Sequence, residues 1–252
     1  SAALRADGAI LCFGMQSDGR CDVAANLGPC KAVAAGGSHT AAVRINGVVA
    51  CWGSNVSQQS NVPASLGACR DVAAGSAHTL ALRLDGSVAA WGSNASGQST
   101  VPKEAAACTA IAAGGSHSVA LLAGGGVVCW GSNANGQCNV PAVGGGCLAI
   151  SAGGSHSGAL VSDGTFLGWG SNAYGQAGAG PAGLGPCVAL SGGGGHTMAI
   201  RRDGSLRCFG AGSVDTGQSP NYGQSIVPAD LGSVASMAGG GFHAVARRGD
   251  GS

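Results

Sequence analysis

Histidine and tryptophan recur along this chain at a nearly fixed interval. All six histidines form one series with steps of 39, 39, 39, 40 and 47 residues: His39, His78, His117, His156, His196 and His243. A second, aromatic series has steps of 39, 39, 39, 39 and 40 residues and contains all four tryptophans: Phe13, Trp52, Trp91, Trp130, Trp169 and Phe209. Six registered copies show that one supersecondary unit of about 39 residues is repeated along the chain.

One unit, starting after Gly47, contains four short segments with strand-like composition: Val48–Trp52, Ser60–Val62, Asp71–Ala74 and Thr79–Arg83. The last segment ends in Asp85-Gly86. An Asx-Gly pair between apolar runs is the strongest short-range hairpin signal, since it suits φ > 0 at both central residues. Four short strands in each repeat predict an all-β, β-propeller fold.

The two ends of the chain carry the same part of the repeat. Ser1–Gly8 and Ala244–Gly251 both align with Thr40–Gly47, so six complete units are present with one strand segment at each end. A propeller closes by pairing its first and last strands. The sequence therefore fits a six-bladed ring and equally fits part of a seven-bladed ring, and we expect residues 1–252 to form a single domain.

The motifs of the repeat resemble those of a known family. They are Cys51-Trp52-Gly53-Ser54-Asn55, Gly97-Gln98 with Val101-Pro102, Ile111-Ala112-Ala113-Gly114-Gly115-Ser116-His117, and Asp85-Gly86. Together they resemble the repeat of the regulator of chromosome condensation family, and the spacing is similar to the compact repeats of the type-two β-lactamase inhibitor protein group. The resemblance implies a propeller, usually seven-bladed, that serves as a rigid protein-binding disc. Some family members exchange guanine nucleotide on a small GTPase, and others inhibit enzymes.

Charge and hydropathy restrict the kinds of partner. The formal net charge is +1, and charged residues make up 9% of the chain. A basic face for nucleic acid or anionic lipid is therefore not expected. No apolar run reaches the ~18 residues of a membrane span. The hydrophobic fraction of 45% supports a packed core despite 49 glycines.

No residue pattern indicates catalysis, a metal or a cofactor. A metal site needs three or four converging ligands, whereas one histidine per repeat spreads the imidazoles apart. We expect each histidine to fix the entrance of a strand through backbone hydrogen bonds. Glu104 is the only glutamate, and no carboxylate pair or nucleophile–base pair stands out. We predict that the protein is not an enzyme.

The eleven cysteines occupy repeated positions. One set shares a register at Cys30, Cys69, Cys108, Cys147 and Cys187, and a second precedes the aromatic residue at Cys12, Cys51, Cys129 and Cys208. Three repeats contain both, eighteen residues apart, and Cys21 and Cys138 lie midway in two of these. Disulfides within a repeat are one interpretation. We favour the other, reduced cysteines that fill the core, since cysteine is often fully buried.

The repeat is broken in one segment. The Trp-Gly glycine lies ten residues before the proline in three repeats, eleven residues before it from Gly170 to Pro181, and eighteen from Gly210 to Pro228. The longest loop, residues 211–227, and the equivalent place one repeat earlier hold the candidate partner-binding residues Asp215, Gln218, Asn221, Tyr222 and Tyr174. Tyrosine is favoured at interfaces, and loops on rigid scaffolds often carry function. The alternative is a tolerated surface insertion.

Three functions fit these observations. We predict first a monomeric, non-catalytic scaffold that binds a protein partner, in the cytoplasm or nucleus. The second, which the family resemblance permits, is a guanine-nucleotide exchange factor for a small Ran-like GTPase. The third is an extracellular recognition or enzyme-inhibitor domain, which becomes the better interpretation if the cysteines are disulfide-bonded and the sequons at Asn55 and Asn94 are glycosylated.

Overall fold

The computed structural model describes residues 1–252, and its regular structure is entirely β. Its 21 strands are β1 (Ala2–Leu4), β2 (Ile10–Cys12), β3 (Cys30–Ala35), β4 (His39–Arg44), β5 (Val49–Gly53), β6 (Cys69–Ala74), β7 (His78–Arg83), β8 (Val88–Gly92), β9 (Cys108–Ala113), β10 (His117–Leu122), β11 (Val127–Gly131), β12 (Cys147–Ala152), β13 (His156–Val161), β14 (Phe166–Gly170), β15 (Cys187–Gly192), β16 (His196–Arg201), β17 (Leu206–Gly210), β18 (Asp215–Gln218), β19 (Asn221–Tyr222), β20 (Val234–Gly239) and β21 (Ala244–Arg248). No helix long and apolar enough to cross a bilayer is present.

Five sheets contain three consecutive strands each: β3-β4-β5, β6-β7-β8, β9-β10-β11, β12-β13-β14 and β15-β16-β17. The middle strand of every sheet begins at the repeated histidine, and the third ends at the glycine after Trp or Phe. Three further sheets, β1-β2, β18-β19 and β20-β21, are two-stranded. The end segments β1 and β21, which share one register in the repeat, thus belong to separate sheets.

One of the four predicted segments, Ser60–Val62, follows the third strand of its sheet and forms no regular ladder with it. Ser60–Val62 is turn and irregular backbone. Its amides are satisfied differently, because Ser60 donates its N–H to Asn55 Oδ1 at 3.0 Å and the following Pro63 has no N–H. In the fifth repeat the equivalent segment does pair, since Gly168 and Gly178 exchange two backbone hydrogen bonds of 2.7 and 3.0 Å. The four-segment, propeller-type unit is therefore confirmed, with its outer segment held mainly by side chains.

Asx-Gly turns join the second and third strands in four of the five three-stranded sheets, but only the glycine has positive φ. Gly47 and Gly86 have φ values of +87° and +83°, and the Asp85 Oδ1 atom accepts the N–H of Ser87 at 2.8 Å. Our expectation of two residues at positive φ was wrong. The aspartate instead forms an Asx turn with right-handed backbone, which needs only one glycine to reverse the chain.

The chain divides into two compact units, residues 1–123 with 130–132 and residues 124–129 with 133–252. In each, the core lies between successive sheets. One cluster of the first unit contains Ala41, Val43, Val49, Leu66, Cys69, Val72, Ala81 and Trp91. One cluster of the second contains Leu160, Phe166, Leu184, Cys187, Ala199 and Phe209. Fully buried alanines on the middle strands keep those strands thin, so neighbouring sheets can pack closely.

Candidate protein-interaction site

Successive repeats are joined by one backbone carbonyl, which we call the inter-repeat joint. The carbonyl oxygen of Gln59, which follows β5, accepts Trp91 Nε1–H at 2.9 Å and Thr79 Oγ1–H at 2.9 Å, and both donors belong to the next sheet, β6-β7-β8. The same joint recurs with 2.8–3.0 Å distances at Arg20 with Trp52 and Thr40, Gln98 with Trp130 and Ser118, and Gln137 with Trp169 and Ser157. The repeated tryptophan and hydroxyl residue therefore act between repeats.

His39, His78 and His156 extend this joint. His39 Nε2 lies 2.8 Å from Thr79 Oγ1, in the next repeat. Because that hydroxyl donates its only proton to the Gln59 carbonyl, it must accept from the imidazole, which fixes a neutral Nε2–H tautomer. For His39 our expectation of an imidazole bonded to backbone was wrong, since its partner is a side chain forty residues away. Equivalent pairs are His78 with Ser118 at 3.1 Å and His156 with Thr197 at 2.9 Å.

Burial keeps the histidines neutral. The rings of His39, His78 and His196 are fully buried, and desolvation lowers the pKa of each from 6.5 to about 4. The Nδ1 atoms of His39 and His78 have no hydrogen-bond partner, so a second proton there would place an uncompensated charge in the core. No cluster of three His, Cys, Asp or Glu side chains could hold a metal ion. The histidines are thus components of the joint.

The longest loop forms a two-stranded hairpin. β18 pairs with β19, and the register places Asp215 opposite Tyr222 and Gln218 opposite Asn221. Four of the five candidate residues are therefore brought together. Asp215 and Gln218 are exposed. Asn221 supports the hairpin internally, since its Oδ1 atom accepts the N–H of Gly212 at 2.8 Å.

The fifth candidate, Tyr174, lies at the base of this hairpin. A Cβ atom placed on Gly195 would be 3.3 Å from Tyr174 Cδ2 and 3.3 Å from Ala211 Cβ, so glycine leaves room for the ring beside the first loop residue. No contact joins Tyr174 to Asp215 or Tyr222 directly among the observed interactions. Its backbone N–H donates to Gln176 Oε1 at 2.9 Å.

Tyr222 occupies the same register as Tyr174, and its N–H donates to Gln224 Oε1 at 2.9 Å. Its ring packs edge-to-face on Phe242, with centroids 5.3 Å apart. Both tyrosines thus cover the residue that precedes the next histidine, which is Gly195 beneath Tyr174 and Phe242 beneath Tyr222. In both repeats the glutamine Oε1 atom holds the tyrosine backbone through this hydrogen bond, so the repeat itself sets the position of the ring.

Sequence reasoning missed Phe242. The residue before the histidine is otherwise Ser, Ala or Gly, at Ser38, Ala77, Ser116, Ser155 and Gly195. A bulky aromatic in that series was a detectable departure from the repeat. Tyr222 and Phe242 are 42% and 55% exposed, and the neighbouring Val214 and Ile226 are 58% and 53% exposed. We call these four residues the hairpin surface.

In-register antiparallel sheets linked by a repeated joint define a propeller-type repeat protein. The regulator of chromosome condensation (RCC1) repeat matches residues 30–59, 69–98, 108–137 and 148–176. The chain belongs to the regulator of chromosome condensation repeat family, as its motifs predicted. Comparison with curated protein sequences finds no significant match.

Solved structures give the same fold. Prp20p of Saccharomyces cerevisiae superposes with a TM-score of 0.77 at 18% identity, over 97% of this chain and 79% of that one. The ectodomain of the Physcomitrella patens receptor kinase CR4 gives 0.75 at 23% identity, over 95% and 64%. Human WBSCR16 gives 0.73 at 19% identity, over 88% and 75%. At these identities the similarity establishes the propeller fold alone. Activity has to be inferred from the residues of the site.

Proposed function

We propose that this protein is a non-catalytic scaffold that binds a protein partner through the hairpin surface. The observation that carries the proposal is an exposed aromatic pair, in which Tyr222 of the long insertion packs on Phe242 beside it. One common fold can host many functions, so the function of this protein depends on the residues of this site.

The hairpin surface has the physical properties of a binding site. Tyrosine and phenylalanine offer a large contact area at a small cost in side-chain entropy, and they dominate the energetics of many interfaces. The surrounding structure holds them in place, because Gln224 fixes the backbone of Tyr222 and Ser225 Oγ–H donates to the Ala211 carbonyl at 2.7 Å. Preorganisation of this kind lowers the entropic cost of association.

The chemistry of the partner follows from the lack of charge. Asp215 is the only charged residue between Ala211 and Val227, and its Oδ1 atom already accepts the N–H of Gly217 at 2.9 Å. We therefore expect a partner that presents an apolar or aromatic surface with hydrogen-bonding groups at its rim, and not one selected by ion pairs.

The test exchanges the insertion for the protein's own regular loop. Residues 211–221 are replaced by Ser-Asn-Ala, the sequence at 171–173, which removes eight residues and leaves Tyr222 in register. Binding proteins captured by the wild-type chain are identified by mass spectrometry, and their affinity for the exchange variant and for Phe242→Ala is measured by calorimetry. We expect at least a tenfold loss for each variant.

The matched control is Val56→Ala, because Val56 is a 94%-exposed apolar side chain in a regular repeat loop. This variant should bind as the wild type does. Unchanged affinity of the exchange variant, with its fold verified by circular dichroism, would show that the insertion is only a tolerated surface loop. Unchanged affinity of Phe242→Ala as well would refute the proposed site.

A second candidate function is guanine-nucleotide exchange on a small Ran-like GTPase. Its support is the fold shared with Prp20p, a protein that binds Gsp1p and histones. The test is release of a fluorescent guanine nucleotide from a loaded Ran-type GTPase. Acceleration at micromolar concentrations of this chain supports exchange, and an unchanged rate with no binding of the nucleotide-free GTPase rejects it.

A further inference from the structure

Two repeats carry an additional cysteine nine residues after the one that precedes the aromatic residue. The pairs are Cys12 with Cys21 and Cys129 with Cys138. Cys12 ends β2 and Cys129 lies in β11. Cys21 and Cys138 lie in the loops that follow these two strands. Other repeats have no cysteine at this loop position, where Ser60, Ser99, Ala177 and Ser225 stand.

The structure brings the members of each pair into contact. The Sγ atoms of Cys129 and Cys138 are 2.6 Å apart, with Cys129 as donor, whereas a disulfide bond measures about 2.05 Å. Closing that bond therefore needs little movement. The Cys12 and Cys21 side chains are likewise hydrogen-bonded to each other.

The fifth repeat shows independently that the register itself creates this contact. Gly168 and Ala177 occupy the positions of Cys129 and Cys138, and they contain no sulfur. A Cβ atom placed on Gly168 would lie 2.8 Å from Ala177 Cα. In the fifth repeat, too, the outer segment thus lies directly against the third strand at this point, without any cysteine to hold it there.

Three cysteines of the other register hydrogen-bond to backbone instead of to another sulfur. Cys30, Cys69 and Cys187 are buried, and their thiols point to the carbonyl oxygen two residues earlier at 3.6, 3.7 and 3.5 Å. Their role is to fill the core, as the sequence predicted. The pairing suggested by the eighteen-residue spacing is therefore not the one in which sulfur meets sulfur.

We propose that Cys129–Cys138, and by the same geometry Cys12–Cys21, are modification sites at which a low-molecular-weight disulfide of the glutathione class forms an intrachain disulfide. The Cys138 thiol loses its proton and attacks one sulfur of the small disulfide, which releases one small thiol and leaves a mixed disulfide. Cys129 then loses its proton and displaces the second small thiol. Two protein thiols are oxidised by two electrons, and one small disulfide is reduced to two thiols.

The local chemistry favours Cys138 as the attacking sulfur. The hydrogen bond from Cys129 lowers the pKa of Cys138, which increases its thiolate fraction. Cys51 and Cys208 share the register of Cys129, but the loop position equivalent to Cys138 holds Ser60 and Ser225 in their repeats. Burial raises the pKa of Cys51 to about 12 and of Cys208 to about 11, so neither thiol should attack the small disulfide by itself, and both serve as internal controls in the wild-type chain, where no second cysteine stands beside them.

The disulfide would act on the inter-repeat joint. Cys138 directly follows Gln137, whose carbonyl accepts hydrogen bonds from Trp169 and Ser157 of the next repeat. A covalent bond from Cys138 to β11 restricts the unfolded chain and fixes this carbonyl against the third strand. For a closed loop of about ten residues we expect the melting temperature of the oxidised protein to rise by roughly 5 °C or more.

The experiment treats the purified full chain with oxidised glutathione, alkylates the remaining thiols in denaturant and digests with chymotrypsin. Cleavage after Trp130 and Phe13 separates the members of each pair, and fragmentation of the linked peptides distinguishes Cys138 from Cys147. We expect Cys129–Cys138 and Cys12–Cys21 links, with seven of the eleven thiols alkylated. Recovery of Cys129 and Cys138 as separately alkylated residues, or of Cys129 linked to Cys147, overturns the proposal.

A gain-of-function variant guards against loss of folding as an explanation. Ser60 lies opposite Cys51 in the register, so Ser60→Cys should create a third linked pair and leave six of its twelve thiols alkylated. The paired variant Ser99→Cys faces Ala90 and should add no link. If Ser60→Cys folds but forms no Cys51 link under the same conditions, the register does not create a disulfide site and the inference fails.

Discussion

At the scale of single residues, the repeated histidine and hydroxyl side chains form a directed hydrogen-bond chain. His39 donates to Thr79, which donates to the Gln59 carbonyl. This series of hydrogen bonds is interrupted at His196. His196 Nε2 is buried without a partner, because the residue after the next histidine is Ala244 instead of Thr or Ser. A buried donor without an acceptor is destabilising.

Restoring the missing hydroxyl should stabilise the protein. Gln224 precedes Ala244 by twenty residues, the separation of Gln59 and Thr79, so Ala244→Thr can accept from His196 and donate to this carbonyl. A gain of about 1 kcal/mol is expected, which corresponds to a rise in melting temperature of roughly 2–4 °C. The control is Ala244→Val, which has the shape of threonine without the hydroxyl. Equal stabilisation by both variants would indicate strand propensity as the cause.

At the scale of strands and loops, the inter-repeat joint explains why an outer segment without ladder hydrogen bonds is still ordered. Its glutamine carbonyl is held by two donors of the next repeat, and the glutamine side chain binds its own loop. Gln98 Oε1 accepts the N–H of Ser96 at 2.8 Å. The sheet has no ladder of backbone hydrogen bonds to this outer segment, and the hydrogen bonds of the joint hold the segment instead.

The two donors of a joint should differ in importance. Thr79→Val removes an isosteric hydroxyl and leaves the buried His39 Nε2–H without an acceptor, so we expect a loss of about 2 kcal/mol. Trp91→Phe removes the Nε1–H donor and part of the buried ring, in a register where Phe209 already occurs, and loss of the hydrogen bond should cost about 1 kcal/mol. Urea denaturation measures both. A larger loss for Trp91→Phe would show that ring packing outweighs the hydrogen-bond chain.

At the scale of the whole molecule, buried neutral histidines distributed over the repeats couple stability to pH. The pKa of His39, His78 and His196 falls from 6.5 to about 4 on folding. Between these values the unfolded chain binds more protons than the folded chain, so the free energy of unfolding decreases as the pH falls. Burial raises the pKa of Asp71 above 3.8, which opposes this trend only near the acid end.

We therefore expect a nearly constant melting temperature above pH 7 and a steep decrease from pH 6.5 to 4. Differential scanning calorimetry across this range tests it. His39→Gln removes one titrating group and should reduce the slope between pH 6.5 and 4 even though its stability at pH 8 is lower. A slope unaffected by this variant would mean that other groups govern acid unfolding.

The near-zero net charge makes a second prediction for the whole molecule. With a formal charge of +1 and an uncharged hairpin surface, electrostatic steering contributes little to association. Affinity for the captured partner should change by less than about threefold between 0.05 and 0.5 M salt, measured by calorimetry. A loss of tenfold or more would place the interface on charged residues elsewhere.

Much of this architecture could be predicted because its determinants are local and repeated. Asp85-Gly86 specifies a turn, the apolar run before Trp52 specifies a strand, and six copies amplify each weak signal. The candidate site was predicted in part. The insertion containing Asp215 and Tyr222 was visible as a break in spacing, whereas Phe242 was overlooked because it lies outside the break and meets Tyr222 only after folding.

The sequence alone therefore determined the repeat, the all-β class, the family and the location of the long loop, since periodicity and turn chemistry act over a few neighbouring residues. Tertiary structure decided the partners. The His39–Thr79 pair, the contact of Cys129 with Cys138 and the Tyr222–Phe242 edge each join segments whose separation along the chain carries no information on their distance in space. That distance is set by how one strand packs on the next segment and one sheet packs on its neighbour.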